Sequence, residues 1–377
     1  MNILSSRIAI SSLFFLHGLC FGSWGSRIPA IQEFHHLSES ELGTLLLSIP
    51  IGQILSMPLA AGMVARFGSR NILIIAACFY GMILTTLGLA PDILSIVICL
   101  SCFGLASNLV NISLNTQAVD LEAIYNKPIM ASFHGLWSTA GFVAAAIGAV
   151  MIGNGVVPYK HFILISIIAL CTLVFSSRYL IRETKKSQAP GKKSFSLPDR
   201  SIMGLGLIAF LSMVCEGAMF DWSGIYFKKV VEAEGAWVGT GYVAFMTTMA
   251  GTRFFADRFK EKYGILTIIR VSGLLIFLGL MTSVLFPHLI TAIIGFLMVG
   301  SGVSALVPLV FSEAGRSKSV SPSSAIASVS TIGFLGFLIA PPVIGWIAGM
   351  SSLKTSFTLV AFIGLSIALL AKKLSRA

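Results

Sequence analysis

The chain is short of charge. Only 11% of its 377 residues are Asp, Glu, Lys or Arg, whereas 56% are apolar and the mean hydropathy is +0.91, far from the composition of soluble globular domains. Uncharged stretches of about 20 residues, the length that crosses a bilayer, recur along the sequence, starting with the 19 residues from Ile8 to Ser26. No extended region is left for a soluble domain. A secretory signal would be followed by a soluble mature chain, but the next apolar stretch comes almost at once, so the first segment reads as a retained helix. Acidic residues are scarcer than basic ones, 15 against 26, yet the net charge of +11 sits at helix ends and forms no patch of the kind that nucleic acid requires. Nucleic acid is therefore not expected as a partner.

Cysteine is sparse too. The six present (Cys20, Cys78, Cys99, Cys102, Cys171 and Cys215) all fall within apolar spans, where a thiol acts as a small hydrophobe. They predict no disulfide framework, and Cys99 with Cys102 lacks the second pair or nearby histidine of a metal site. There is no GxxxxGK[ST] phosphate loop and no HExxH; His17, His134 and His161 are scattered. Nothing points to an enzyme, a bound metal or any other cofactor.

What the sequence has is a series of apolar spans separated by charges and breakers. They predict helices near 8–26, 40–65, 71–90, 93–115, 129–151 and 159–180, then 202–227, 237–256, 265–286, 289–311, 324–349 and 353–371. The uncharged run from Val271 to Ser312 is 42 residues long, too much for one span, and Pro287-His288 divides it. The most polar stretch, 182–200, reads as a linker on the membrane surface. The expected fold is thus an all-α membrane protein of twelve transmembrane helices in two pseudo-symmetric six-helix bundles, residues 1–181 and 201–377. Cytoplasmic loops carry the excess of Lys and Arg. With the N-terminus inside, the inner segments hold 21 of the 26 basic residues and the outer ones five, which places both termini and the linker in the cytoplasm.

The two halves repeat a feature. AGMVARFGSR (Ala61 to Arg70) follows the second span, and RFFADRFKEKYG (Arg253 to Gly264) follows the eighth; both are short basic turns joining spans with almost no loop. These residues resemble the major facilitator superfamily, in which a small residue, Asp-Arg, Gly and a basic pair join helices 2 and 3. Arg66, Gly68 and Arg70 match; Ala65 stands where that family usually has Asp, and Asp257-Arg258 supplies the pair in the second half. GSRIPAIQEFHHLSESELG, NISLNTQAVDLE, FHGLWSTAGFVAAAIGA and EGAMFDWSGIYF further resemble the sugar-transporter-like branch that includes fucose permease and the YbjJ-type inner-membrane proteins, with Asn111 where that branch often carries Asp. The resemblance implies a multi-pass protein of the bacterial inner membrane, a monomer moving a small-molecule substrate by alternating access.

Ionisable groups within a bilayer cost several kcal/mol and usually face a bundle interior or a water-filled cavity. Glu216 leads the candidates. It lies about 21 Å along the seventh helix from Ile202 and can exchange a proton as its exposure changes; a packing hydrogen bond is the plainer role. Asp221 lies about 140° further around beside Trp222, as a gate residue or a helix-end anchor. Asn108, Asn111 and Asn115 share one face of the fourth helix, where amides suit either a hydroxyl-rich ligand or interhelical bonding. His17, Cys20, Phe21 and Trp24 line one face of the first helix, and His134, Trp137, Ser138 and Gly141 one face of the fifth. Aromatic rings beside polar groups suit a sugar-like solute; packing is the alternative. By the resemblance, Arg66, Gly68, Arg70, Asp257, Arg258 and Glu313 form gating contacts at the cytoplasmic face.

The substrate-binding set is therefore His17, Trp24, Asn108, Asn111, His134, Trp137, Glu216 and Trp222, with Glu216 and Asp221 coupling protons, in a cavity among helices 1, 4, 5, 7, 10 and 11. The expected function is proton-coupled symport of a small polar organic solute. A proton-driven antiporter exporting drugs or metabolites, or a transport-inactive sensor, are the alternatives.

Overall fold

In the computed structural model the described residues are 3–125, 129–182, 200–253, 255–314, 316 and 322–374. They form α1 (Ile3–Phe34), α2 (Glu39–Leu46), α3 (Ser48–Phe67), α4 (Ser69–Leu87), α5 (Ile93–Tyr125), α6 (Met130–Gly153) and α7 (Pro158–Ser177), then α8 (Arg200–Lys229), a 3-10 turn (Gly235–Gly239), α9 (Thr240–Arg253), α10 (Ala256–Tyr263), α11 (Ile265–Leu285), α12 (Leu289–Ala314), α13 (Pro322–Met350) and α14 (Leu353–Leu374). The described residues contain no strand. Taking α2 with α3 as one span and setting the short polar α10 aside gives twelve spans, six in each half of the sequence. Eleven segments among the described residues are long and apolar enough to cross a membrane. The remaining span, α9, has 14 residues, about 21 Å at 1.5 Å per residue, and the 3-10 turn extends it at its start. The interior of the expected linker, 183–199, lies outside the described residues.

Two spans run well past their expected ends. A charge normally marks a helix end in a membrane, but α1 continues through Arg27 and Pro29 to Phe34. Arg27 is 2% exposed and donates from Nε to Nδ1 of His161 on α7 at 3.0 Å. α5 runs on to Tyr125, whose hydroxyl accepts from Arg7 at 2.8 Å. Its other end is capped by Asp92, which accepts from the Ser95 N–H at 2.8 Å; that backbone bond holds the Asp92 carboxyl below the usual range.

The chain divides into two compact units, Met1–His36 with Ser48–Ser194, and Leu37–Leu47 with Phe195–Ala377. Leu37–Leu47 was expected inside the first bundle and instead packs with the second unit.

In the first unit α1 lies along α6 in parallel, and small residues set their approach. Gly18, Gly22 and Ser26 meet Ala140, Ala144 and Gly148 in order. A Cβ on Gly18 would stand 2.5 Å from the Trp137 carbonyl oxygen, and one on Gly22 2.7 Å from the Ala144 Cβ. Close backbone approach is what associates helices in lipid, where no hydrophobic force drives them together. α3 packs on α5 and α4 on α7. Polar ties pin these pairs: Asn108 donates to Ser56 Oγ at 2.7 Å, and Gln117 donates to Ser69 Oγ at 2.7 Å while its Oε1 accepts from the Ile181 N–H at 2.8 Å.

The second unit repeats these pairings: α8 along α13, α9 on α12 and α11 on α14. Gly206 meets Ile332, Gly217 meets Ala340, and Gly273 meets Gly364. Gly68 and Gly264 open α4 and α11 with φ of 84° and 76°, a left-handed backbone that favours glycine, so the basic-turn repeat in sequence is also a repeat in conformation. α2 lies on α13. It starts with a capping box between Ser38 and Glu41, Thr44 accepts from Trp346 Nε1 at 3.1 Å, and Glu39 pairs with Lys229 at 2.6 Å.

Candidate functional site

Each unit holds its own polar set within its helices. In the first, His17 on α1 is 8% exposed and its Nε2 lies 2.9 Å from Ser107 Oγ on α5. Its ring is 5.4 Å from Tyr80 on α4 and 6.4 Å from Trp137 on α6. Tyr80 stacks on Phe103 at 4.4 Å, and Phe21 lies 6.4 Å from Phe103 and 6.2 Å from Trp137. A small cavity opens beside this aromatic group, with His17, Cys20 and Tyr80 as its polar lining and Leu13, Leu73 and Leu173 among the apolar part.

In the second unit Glu216 and Asp221 on α8 face Tyr242 near the start of α9 and Arg253 at its end. Glu216 and Arg253 attract each other as opposite charges, and Tyr242 lies within electrostatic range of both acids. Arg253 Nε donates to the Ser304 carbonyl of α12 at 3.3 Å, and the Tyr242 ring meets Phe220 edge-on at 5.3 Å. A carboxylate within electrostatic range of a guanidinium in a membrane helix can exchange a proton with changing exposure and offer charged hydrogen bonds to a polar solute. Among the described residues no group of three His, Cys, Asp or Glu is placed to hold a metal ion.

The expected residues scatter among several environments. Trp24 and Trp222 are fully buried, and among the described residues neither indole N–H has a hydrogen-bond partner. Trp222 packs against α13 at Gly345. Asn108 faces α3, bonded to Ser56 and to the Gln53 carbonyl at 3.2 Å, while Asn111 is exposed and its Oδ1 accepts from Asn115 at 2.9 Å. The three asparagines thus do not present one common surface. His134 is exposed and Trp137 half-buried. Arg70 donates to the Ser177 carbonyl at the end of α7 at 3.1 Å, a bond within the first unit, and Arg66 is exposed over the Phe67 ring. Asp257 and Arg258 lie on α10, with Arg258 exposed, and Glu313 is half-buried near the end of α12.

Tyr80, Ser107, Tyr242 and Arg253 complete the two sets and were not singled out from sequence. In the sequence Arg253 stands only as the first residue of the second basic turn. A basic residue that still belongs to an apolar helix, before its loop begins, is the signal that marks it.

Two bundles of six membrane helices, built from the same helix pairings and each holding ionisable groups in mid-span, define a polytopic transporter architecture. The family model of the Major Facilitator Superfamily matches residues 10–334, and the chain belongs to that family. It is 30% identical over 373 residues to an MFS-type transporter of Yersinia pestis, covering 99% of this chain and 97% of the other. It is 31% identical over 363 residues to membrane protein MosC of Rhizobium meliloti, covering 96% and 88%. Among solved structures, the nucleoside transporter NupG matches with a TM-score of 0.77 at 13% identity over 100% of both chains, and a bacterial homologue of the lysosomal transporter Spinster with 0.74 at 15% over 98% and 96%; at these identities the likeness is one of fold. The chain is a multi-pass membrane transporter of this superfamily.

Proposed function

We propose that the protein is a proton-coupled symporter that accumulates a small polar organic solute, sugar-like in its hydroxyl content, by alternating access. The observation that carries this reading is the pair of acids within α8, Glu216 in mid-helix and Asp221 beyond it, with Tyr242 near the start and Arg253 at the end of α9. A protein keeps charged groups at such depth against a cost of several kcal/mol when they face a pathway or relay protons. Glu216 takes the coupling proton and Arg253 holds the carboxylate in its ionised phase, with Asp221 as a second acid. His134, Trp137 and Asn111, exposed or half-buried on α5 and α6, supply hydrogen bonds and an aromatic face for the solute. Arg66, Gly68, Arg70, Asp257, Arg258 and Glu313 serve the gate. The protein works as a monomer of the bacterial inner membrane with both termini in the cytoplasm, in the branch that includes fucose permease.

Flux into proteoliposomes under an imposed proton gradient tests this. Solutes are first screened by thermal shift across sugars, nucleosides, amino acids and organic acids. Accumulation of a hit by the wild type, and its loss in Glu216→Gln with counterflow retained, is the expected result. Wild-type accumulation in Glu216→Gln sinks the coupling role. Gradient-driven expulsion would favour antiport, a reading supported by a 23% identity over 190 residues to multidrug resistance protein 2 of Bacillus subtilis.

A further inference from the structure

The first helices of the two units carry the same short pattern. His17-Gly18, Phe21 and Gly25 in α1 recur at the same spacing as Glu216-Gly217, Phe220 and Gly224 in α8. Gly18 and Gly217 occupy matching places in the packing, the one against α6 and the other against α13. His17 therefore stands in the first unit where Glu216 stands in the second. We propose, on the proton-coupled reading above, that His17 is a second proton site of the transporter and that His134 delivers its proton.

The hydrogen-bond partner of His17 serves either protonation state. That partner, Ser107 Oγ at 2.9 Å, can donate to a neutral ring nitrogen or accept from a protonated one. The helices packed on α1 present few titratable groups to it: His134 from α6 and Tyr80 from α4, with Cys20 on α1 itself. α5 offers Ser107 and Val110, and α7 offers Ala169 and Leu173. Among the described residues, His134 is the titratable group that contributes to its electrostatic environment. The cavity beside it leaves space next to the imidazole.

His134 connects this buried site to the surface. It is exposed and meets Phe14 edge-on at 5.6 Å, one helical turn from His17 along α1, and the two imidazoles lie within charge–charge range. An imidazole accepts a proton on one ring nitrogen and releases one from the other, so a proton taken from water by His134 passes inward to His17 and leaves His134 neutral in its other tautomer, which a ring flip or a second exchange with water restores. Protonating both at once brings like charges together, which drives the first proton on.

Trp137 supplies the test. Its ring is 6.4 Å from His17, and an imidazolium quenches a neighbouring indole where a neutral imidazole does not. Tryptophan fluorescence of the full chain in lipid nanodiscs is titrated with pH, with no solute added. Acidification is expected to quench the wild type, and the quench is expected to vanish in Trp137→Phe and in His17→Gln. In His134→Gln it keeps its amplitude but develops more slowly after a stopped-flow pH jump, and Glu216→Gln leaves it unchanged. A wild type without a quench, or one undiminished in Trp137→Phe or His17→Gln, overturns the proposal, as does a quench lost in His134→Gln but kept in His17→Gln. Should His17→Gln not fold, His17→Asn takes its place, with the same outcomes. The readout needs no flux, so its failure leaves the Glu216 experiment standing, and the reverse holds as well.

Discussion

The two units share a scaffold and differ in charge. Both pair their first helix with the fifth, second with fourth and third with sixth, and both use glycine or alanine where backbones meet. Yet the first unit joins polar groups to hydroxyls, an imidazole with one and an amide with another, whereas the second unit places two acids with a guanidinium and a phenol along α8 and α9. The small residues at helix crossings determine the packing, and one exchanged side chain at the same register, His17 for Glu216, changes the chemistry without disturbing it. Stability and function should therefore separate by mutation, and differently in each unit.

The largest effect is expected where charge is buried. Arg253→Gln removes the guanidinium that attracts Glu216 and its bond to the Ser304 carbonyl, and a hydrogen bond to a charged group contributes about 1.5 to 3 kcal/mol. Replacing Glu216 as well removes the charge left without that attraction, so the double variant with Glu216→Gln should recover part of the thermal stability in detergent while remaining unable to couple protons. A double variant as unstable as Arg253→Gln would show that the two side chains do not act together.

Next come the helix crossings. Gly22→Ala puts a methyl group 2.7 Å from the Ala144 Cβ, whereas Gly217→Ala puts one 3.3 Å from the Ala340 Cβ. Overpacking costs about 1 to 3 kcal/mol when the neighbours cannot move, so Gly22→Ala should lower the unfolding midpoint clearly and Gly217→Ala little. Equal effects would mean that α1 and α6 yield more readily than their close backbone contact implies.

The asparagines of α5 divide stability from transport on one helix. Asn108→Ala loses bonds to Ser56 and Gln53 that tie α5 to α3, worth about 1 kcal/mol in a membrane, and should lower stability while sparing solute affinity. Asn111→Ala, at an exposed position, should do the opposite. A thermal-shift titration with the transported solute distinguishes them.

That contrast also shows what could be read in advance. The span count was legible because apolar runs must match the bilayer, and the basic turns at Gly68 and Gly264 announced the repeat. Spacing, however, places residues on a helix face without saying what lies opposite. Asn108 and Asn111 share a face by period, but α3 covers only the first. Arg27 looked like the end of α1 because a charge in a span is costly; the His161 nitrogen that receives it comes from α7, more than a hundred residues away, and no local pattern reveals it. Arg253 was hidden in the same way, its acid lying on another helix. Segment 37–47 shows a further limit, since its polar, capped sequence gives no sign that its contacts lie with the second unit.

That segment carries the smallest predicted effect. Glu39 and Lys229 pair at 2.6 Å, but their side chains are 24% and 41% exposed, so water competes for both and the pair contributes only about 0 to 1 kcal/mol. Glu39→Gln should lower the unfolding midpoint slightly at low ionic strength and not at all in high salt, where screening removes the attraction. Thr44→Val, which removes the acceptor of the Trp346 N–H, should give a small loss that salt does not affect. If instead Glu39→Gln lowers stability by several kcal/mol in high salt, the attachment of α2 to α13 depends on that ion pair and not on the close contact of Gly43 with Gly345, and the second unit would then use charge for packing as well as for chemistry.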